Sequence, residues 1–206
     1  MAGHQVCGIL FDFDGTLTAP GGLDFARIRA ALGCPDNETI LEFIWSLSPE
    51  EQAKAHRILE GFEEEAALSA EPNEGAEALL AFLKSRQIPF GIITRNRLSM
   101  VLVSLRNFDG VAPDDFSVIL TRDDAVAPKP APDGIIAAAN RMGIPVERLM
   151  VVGDFRYDID AGRSAGAVTA FLDSGQRRDD TVCSPDYRVS GLDELQTLIA
   201  QLAGQE

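Results

Sequence analysis

Hydrophobic positions along the chain fall into two regimes, short continuous runs and stripes at helical spacing. Val6 to Phe11 is such a run, and it breaks abruptly into Asp12-Phe13-Asp14-Gly15-Thr16. Unbroken apolar character over strand length predicts a central parallel strand covered on both faces. The cluster Ala19-Pro20-Gly21-Gly22 then interrupts the chain and reads as a hinge. Beyond it three helices are predicted in succession: Phe25, Ile28 and Leu32 on one face; Ile40, Leu41, Ile44 and Leu47; and a third through Ile58, Leu59 and Phe62 to about Ser69. The third opens with Ser48-Pro49-Glu50-Glu51, a capping box with proline in the first turn.

From Asn73 helices and strands alternate. Strands are expected at Pro89–Thr94, Phe116–Leu120, Leu149–Val152 and Val168–Leu172. Helical stripes separate them, at Ala76–Leu83, Leu98–Leu105, Ile135–Ala139 and Tyr157–Ala165, and a last helix carries Leu192 to Leu202. This order predicts an α/β fold with a parallel central sheet, right-handed crossovers and helices on both faces. Residues 1–18 and 71–206 then form the core, and residues 19–70 an all-helical insert.

Asp12, Thr94, Asp123 and Asp154 each stand at or just past the end of a predicted strand. Parallel strands bring such positions to one edge, where α/β sheets bind ligands. Asp14 and Asp158 lie close by in sequence, and Lys129 sits in the stiff loop Pro128-Lys129-Pro130-Ala131-Pro132.

Composition narrows the chemistry. The formal net charge of -14 over 206 residues argues against nucleic acid and against anionic membrane surfaces. An anionic substrate would need a local device against this field, and a divalent cation is the simplest one. Carboxylates with no histidine or cysteine nearby select Mg2+. The three cysteines are scattered, which fits reduced thiols in a cytoplasmic protein. The apolar run at the N-terminus is too short for a signal peptide or a membrane span.

A carboxylate nucleophile, a second carboxylate for proton transfer, a lysine and a metal together suit hydrolysis of a phosphate monoester. Each residue also has an ordinary structural alternative. Thr94 fits a helix cap, Lys129 a solvated loop charge paired with Asp123 or Asp124, and Asp158 a helix N-terminal anion. His56 and His4 read as surface residues, Cys7 as a buried strand thiol, and Trp45 and Phe43 as packing within the insert. Arg95, Asn96, Arg122 and Arg156 cluster over the same edge, and the residues alone do not say which touch a substrate.

Taken together, Asp12-Phe13-Asp14-Gly15-Thr16, Thr94, Lys129 in Lys-Pro-Ala-Pro-Asp, and Gly153-Asp154-Phe-Arg-Tyr-Asp158 resemble the four ordered motifs of the haloacid dehalogenase superfamily. The resemblance runs from Cys7 to about Leu172. It implies a three-layer Rossmann-like core with a short helical cap inserted after the first motif. It also implies Asp12 as nucleophile and metal ligand, and Asp14 as general acid and base with its backbone carbonyl on Mg2+. Thr94 and Lys129 would bind the phosphoryl group with Arg95 and Asn96 as substrate contacts. Asp154 would ligate the metal directly and Asp158 would support it. Dehalogenase members lack the second aspartate, so Asp14 points to phosphoryl transfer. Phosphoglycolate phosphatases of the family usually continue Asp-Gly-Thr-Leu-x-Asp-Ser, whereas this chain has Thr18-Ala19-Pro20. The expected substrate is a small phosphorylated metabolite. A phosphomutase of the beta-phosphoglucomutase type uses the same motifs, and a receiver-like Mg2+-binding module shares the carboxylates and the lysine but not the insert.

Overall fold

A computed structural model describes residues 5–173 and 184–203. His4 and Cys183 lie outside the described residues. The elements in chain order are β1 (Gly8–Phe11), α1 (Phe25–Leu32), α2 (Ile40–Ser46), α3 (Pro49–Leu68), α4 (Ala76–Ser85), β2 (Phe90–Ile93), α5 (Leu98–Ser104), β3 (Val118–Leu120), α6 (Asp133–Met142), β4 (Leu149–Gly153), α7 (Arg156–Ala165), β5 (Val168–Leu172), β6 (Tyr187–Val189) and α8 (Leu192–Ala203). All strands are parallel, in the order β3-β2-β1-β4-β5-β6.

β1 lies at the centre, with Ile9 opposite Phe90 on one side and Met150 on the other. Its side chains alternate between two apolar layers. Ile9 and Phe11 join Leu79, Leu80, Leu83, Leu195 and Ile199 of α4 and α8, while Leu10 joins Ile135, Ala138 and Ala161 of α6 and α7. Every residue of β1 is buried, and full burial of one such aliphatic side chain stabilises the fold by about 1.5–3 kcal/mol. The result is a three-layer Rossmann-like α/β sandwich.

The helices between β1 and α4 gather a third apolar cluster around Ile28, Ile40, Leu41, Ile44 and Leu59. The capping box at the start of α3 is formed, with the Glu51 carboxylate accepting from the Ser48 amide at 3.1 Å and its hydroxyl at 2.5 Å. The segments entering and leaving these helices run side by side. Thr18 bridges Pro72, the Ala19 amide donates to the Glu71 carbonyl at 2.8 Å, and the Asn73 amide donates to the Leu17 carbonyl at 2.8 Å.

Three expectations from the sequence need correction. Trp45 is 44% exposed and lies outside the α1–α3 cluster, lining instead a cavity with Leu41, Thr94 and Arg122. Cys7 is only partly buried, since it precedes the strand, and Cys34 is the buried thiol. The strand β6 has no apolar run to signal it: Tyr187-Arg188-Val189 is a short edge strand held by β5. Among the described residues no helix is long and apolar enough to cross a membrane.

Candidate active site

Past the end of β1 the chain enters a tight turn over Phe13–Leu17, in which Gly15 takes a φ of +88°. A side chain there would be strained, and its Cβ would lie 2.6 Å from Asp154 Oδ2. Gly153 is similarly constrained, because a Cβ would fall 2.2 Å from Asp158 Oδ2. Gly15 thus lets the turn after β1 close on the end of β4, and Gly153 lets the first turn of α7 fold back on that strand. Phe13 turns inward and stacks on Phe108 at 6.4 Å between centroids, so Asp12 and Asp14 are left facing the sheet edge.

Asp12, Asp154 and Asp158 each offer a carboxylate oxygen, all within 4.8 Å of one another, and all three residues are buried. The Lys129 ammonium is buried among them. It donates to Asp12 Oδ1 at 2.6 Å, to Asp158 Oδ1 at 2.6 Å and to the Ile93 carbonyl at 2.9 Å. An ammonium has three donors, and all three are engaged within the protein. Burial alone would push the Lys129 pKa down, but Asp12 and Asp158 outweigh it and hold the pKa above the usual lysine range. Burial and the Asp12 charge raise the Asp158 pKa against the pull of Lys129. Asp158 also accepts from the Phe155 amide at 3.1 Å, so it serves the first turn of α7 and the site together.

The Asp14 carboxylate faces elsewhere. The Thr94 hydroxyl donates to it at 3.4 Å, and the Asn96 side-chain amide reaches both its oxygens at 3.2 Å. Burial first and the Asp12 charge second push its pKa up to about 7, with Glu63 adding and Asn96 opposing. Two carboxylates one residue apart are therefore placed in different environments, the arrangement by which enzymes separate a charged group from a protonated one. Thr94 also accepts from the Asn96 amide at 3.0 Å, so it closes the turn after β2 as well as facing Asp14.

Asp123 does not join the site. It accepts from the Leu98 amide at 2.9 Å and lies 3.6 Å from Arg97 Nε, because the loop after β3 turns this side chain back to the start of α5. Arg95 pairs with Glu42 of α2 at 2.7 Å and lies over the Tyr157 ring at 5.3 Å. Arg122 forms a two-point ion pair with Glu63 of α3, at 2.8 and 2.7 Å. Arg156 lies over the other side of the site, 5.2 Å from the Tyr157 ring centre.

A cavity of about 370 Å³ opens above the carboxylates, lined from below by Asp12, Asp14, Thr94, Asn96, Lys129, Asp154 and Asp158 and from above by residues of α1–α3. Glu63, Glu42, Thr39 and Tyr157 were not anticipated from the sequence. Glu63 did leave a signal. Ala55, Leu59, Glu63 and Ala67 recur every four residues along the buried side of α3, so a carboxylate stands where the stripe calls for an apolar residue.

Comparison with known proteins fits this geometry. The family model described as "Haloacid dehalogenase-like hydrolase" matches residues 19–172. The chain belongs to the haloacid dehalogenase-like hydrolase family. It is 34% identical to a haloacid dehalogenase-like hydrolase domain-containing protein of Arabidopsis thaliana, over 93% of this chain and 83% of that protein. It is 28% identical to the N-acetylmuramic acid 6-phosphate phosphatase of Pseudomonas aeruginosa, over 81% of each chain. It also shares 30% identity with the phosphoglycolate phosphatase of Escherichia coli, over 56% of this chain and 46% of that one. Among solved structures, a hydrolase from Pseudomonas syringae superimposes with a TM-score of 0.80 over 96% of this chain and 100% of the other, at 22% identity. The fold is thus that of the haloacid dehalogenase hydrolases, and the chain is an enzyme of the hydrolase class. The first motif, Asp12 to Thr16, precedes the matched span, and its place in the site rests on the contacts described above.

Proposed function

We propose that this chain is a Mg2+-dependent phosphatase that hydrolyses a small phosphorylated metabolite through an aspartyl-phosphate on Asp12. The observation that carries the reading is the division of labour between the paired aspartates. Lys129 donates to Asp12 at 2.6 Å, while Asp14, partly buried, is raised to about 7 and is reached by Thr94 and Asn96. Relatives named as phosphatases support the same reaction class.

The donor set suits Mg2+. Asp12, Asp154 and Asp158 bring carboxylate oxygens to within 4.8 Å of one another, and all these donors are hard oxygens. Asp12 and Asp154 would hold the ion, with the Asp14 carbonyl and Asp158 in support, and it would neutralise charge on the phosphoryl oxygens.

Asp12 attacks phosphorus with the carboxylate oxygen that Lys129 leaves free, and the bond from phosphorus to the ester oxygen breaks. Asp14 gives its proton to that departing oxygen, which leaves as an alcohol. Asp14, now ionised, takes a proton from water as the water attacks phosphorus. The bond to Asp12 breaks, inorganic phosphate leaves, and Asp14 is protonated again. Thr94 and Asn96 orient Asp14 through both steps, and Arg95 and Asn96 flank the entering ester. Residues 19–70 act as a cap over the core of residues 1–18 and 71–206, excluding water while the phosphoryl group is on the enzyme.

The test is phosphate release from p-nitrophenyl phosphate. Turnover is expected with Mg2+, not with EDTA, and Asp12→Asn is expected to lower it by at least about a thousandfold. Turnover that survives Asp12→Asn overturns the aspartyl-phosphate route, and recovery of an isomerised sugar phosphate without free phosphate would point to a mutase.

A further inference from the structure

From the upper part of the cavity, and resting on the phosphatase reading above, we infer that this enzyme selects phosphomonoesters of uncharged alcohols with an apolar face. It discriminates against esters whose leaving group carries a second anionic group.

The argument starts from charge. A leaving group ending in a carboxylate or a second phosphate needs a cation that is free to meet it. Three arginines line the cavity beyond the carboxylates, and two of them are already neutralised from the helical side. Arg95 is paired with Glu42 at 2.7 Å, and Arg122 is held at two points by Glu63, with side-chain exposures of 15% and 5%. Bringing an anion to either arginine means desolvating it beside a carboxylate that already occupies the guanidinium, and desolvation of an ion is costly unless its partner is free.

Much of the upper lining is apolar, with Leu23 just before α1 and Ile28, Ile40, Leu41 and Leu59 from the helices. Against this wall stand two polar atoms that have no partner, Thr39 Oγ1 and Arg95 Nε, on residues that both line the cavity. One is a hydroxyl and the other an N–H donor, a pair that suits a neutral hydroxyl or carbonyl on the leaving group. A volume near 370 Å³ lies within the range of sites that enclose small-molecule ligands, so it accommodates more than a two-carbon alcohol.

Arg29 is the residue on which the idea can fail. It lines the cavity and no carboxylate is paired with it among the described residues, although its Nη1 donates to the Pro35 carbonyl at 2.6 Å and lies 3.4 Å from Cys34 Sγ. The backbone carbonyl at the end of α1 holds it, but it keeps its charge.

Three esters separate the possibilities: benzyl phosphate, 2-hydroxyethyl phosphate and 2-phosphoglycolate, the last two differing only in a hydroxymethyl group against a carboxylate. With Mg2+ present, kcat/KM is expected to fall in that order, with 2-phosphoglycolate at least about tenfold below 2-hydroxyethyl phosphate. Glu42→Gln releases Arg95 from its anionic partner and should narrow that ratio at least about fivefold, a ratio within one variant that any general loss of activity leaves untouched. Equal or preferred turnover of 2-phosphoglycolate by the unsubstituted enzyme overturns the inference, and loss of such a preference in Arg29→Ala would assign it to Arg29. An unchanged ratio in Glu42→Gln also overturns it. If none of these esters nor p-nitrophenyl phosphate releases phosphate, the phosphatase reading itself fails and the inference falls with it.

Discussion

The floor and the far wall of the cavity handle buried charge in opposite ways. On the floor, Asp12 and Asp158 share one ammonium, Lys129, and a carboxylate oxygen of Asp154 lies within 4.8 Å of theirs. On the wall, arginine and glutamate are matched one to one, Arg95 with Glu42 and Arg122 with Glu63. Excess charge in a buried place is unstable until a cation or proton arrives, whereas a matched pair is already at rest. On the reading proposed above the floor takes up a metal ion, whereas the wall joins two parts of the chain. The wall pairs, with Arg97 and Glu60 beside them, all run from loops after β2 and β3 to helices of the insert.

Removing Lys129 should have the largest effect on this contrast. Lys129→Met leaves Asp12 and Asp158 buried without their cation, and a loss of about 3–5 kcal/mol in urea unfolding is expected in EDTA. Added Mg2+ should restore part of it, because the metal supplies the missing positive charge. A loss of the same size with and without Mg2+ would remove the idea that the floor is short of a cation.

On the wall the expected changes are smaller. Glu63→Gln strands Arg122 and should cost about 1.5–3 kcal/mol, the scale of a hydrogen bond to a charged group. Replacing both partners, Glu63→Met with Arg122→Met, should return stability to within about 1.5 kcal/mol of the unsubstituted chain, as replacement of a complete buried pair often does. Unfolding curves that show the double variant no better than Glu63→Gln would mean the wall is not a self-contained pair.

A further contrast lies in pH. Asp14 is raised from 3.8 to about 7 in the fold. An acid with a raised folded pKa favours the folded state while protonated, so its support is complete below the unfolded pKa and is lost as pH rises toward 7. Asp14→Asn keeps a neutral side chain throughout. In EDTA the variant should gain on the unsubstituted chain between pH 4 and pH 7 and gain no further above it. A stability difference that stays flat over this window, followed by chemical denaturation, would show that Asp14 is not held protonated by burial.

The groups proposed to form the site were readable because each is announced locally. Asp12, Thr94 and Asp154 interrupt apolar runs, and Lys129 stands between prolines. Asp123 carries the same signal and still leaves the site, because the turn after β3 directs its side chain to the amide of Leu98. Glu63 was hidden for the opposite reason. Within an acidic stretch of a long helix it reads as solvated, and only its register with Ala55, Leu59 and Ala67 sets it apart.

The residues by themselves determined which segments other than β6 are strands and helices, and in what order the chemistry-bearing positions follow them, because burial imposes a period on each segment that neighbours in sequence reveal. The tertiary structure decided the pairings: that Lys129 spends its donors on Asp12, Asp158 and the Ile93 carbonyl, that Asp14 turns to Thr94 and Asn96, and that Glu42 and Glu63 silence the arginines above them. Partners so far apart in the chain carry no mark of each other in sequence, since their attraction exists only once the sheet and the helices have brought them side by side.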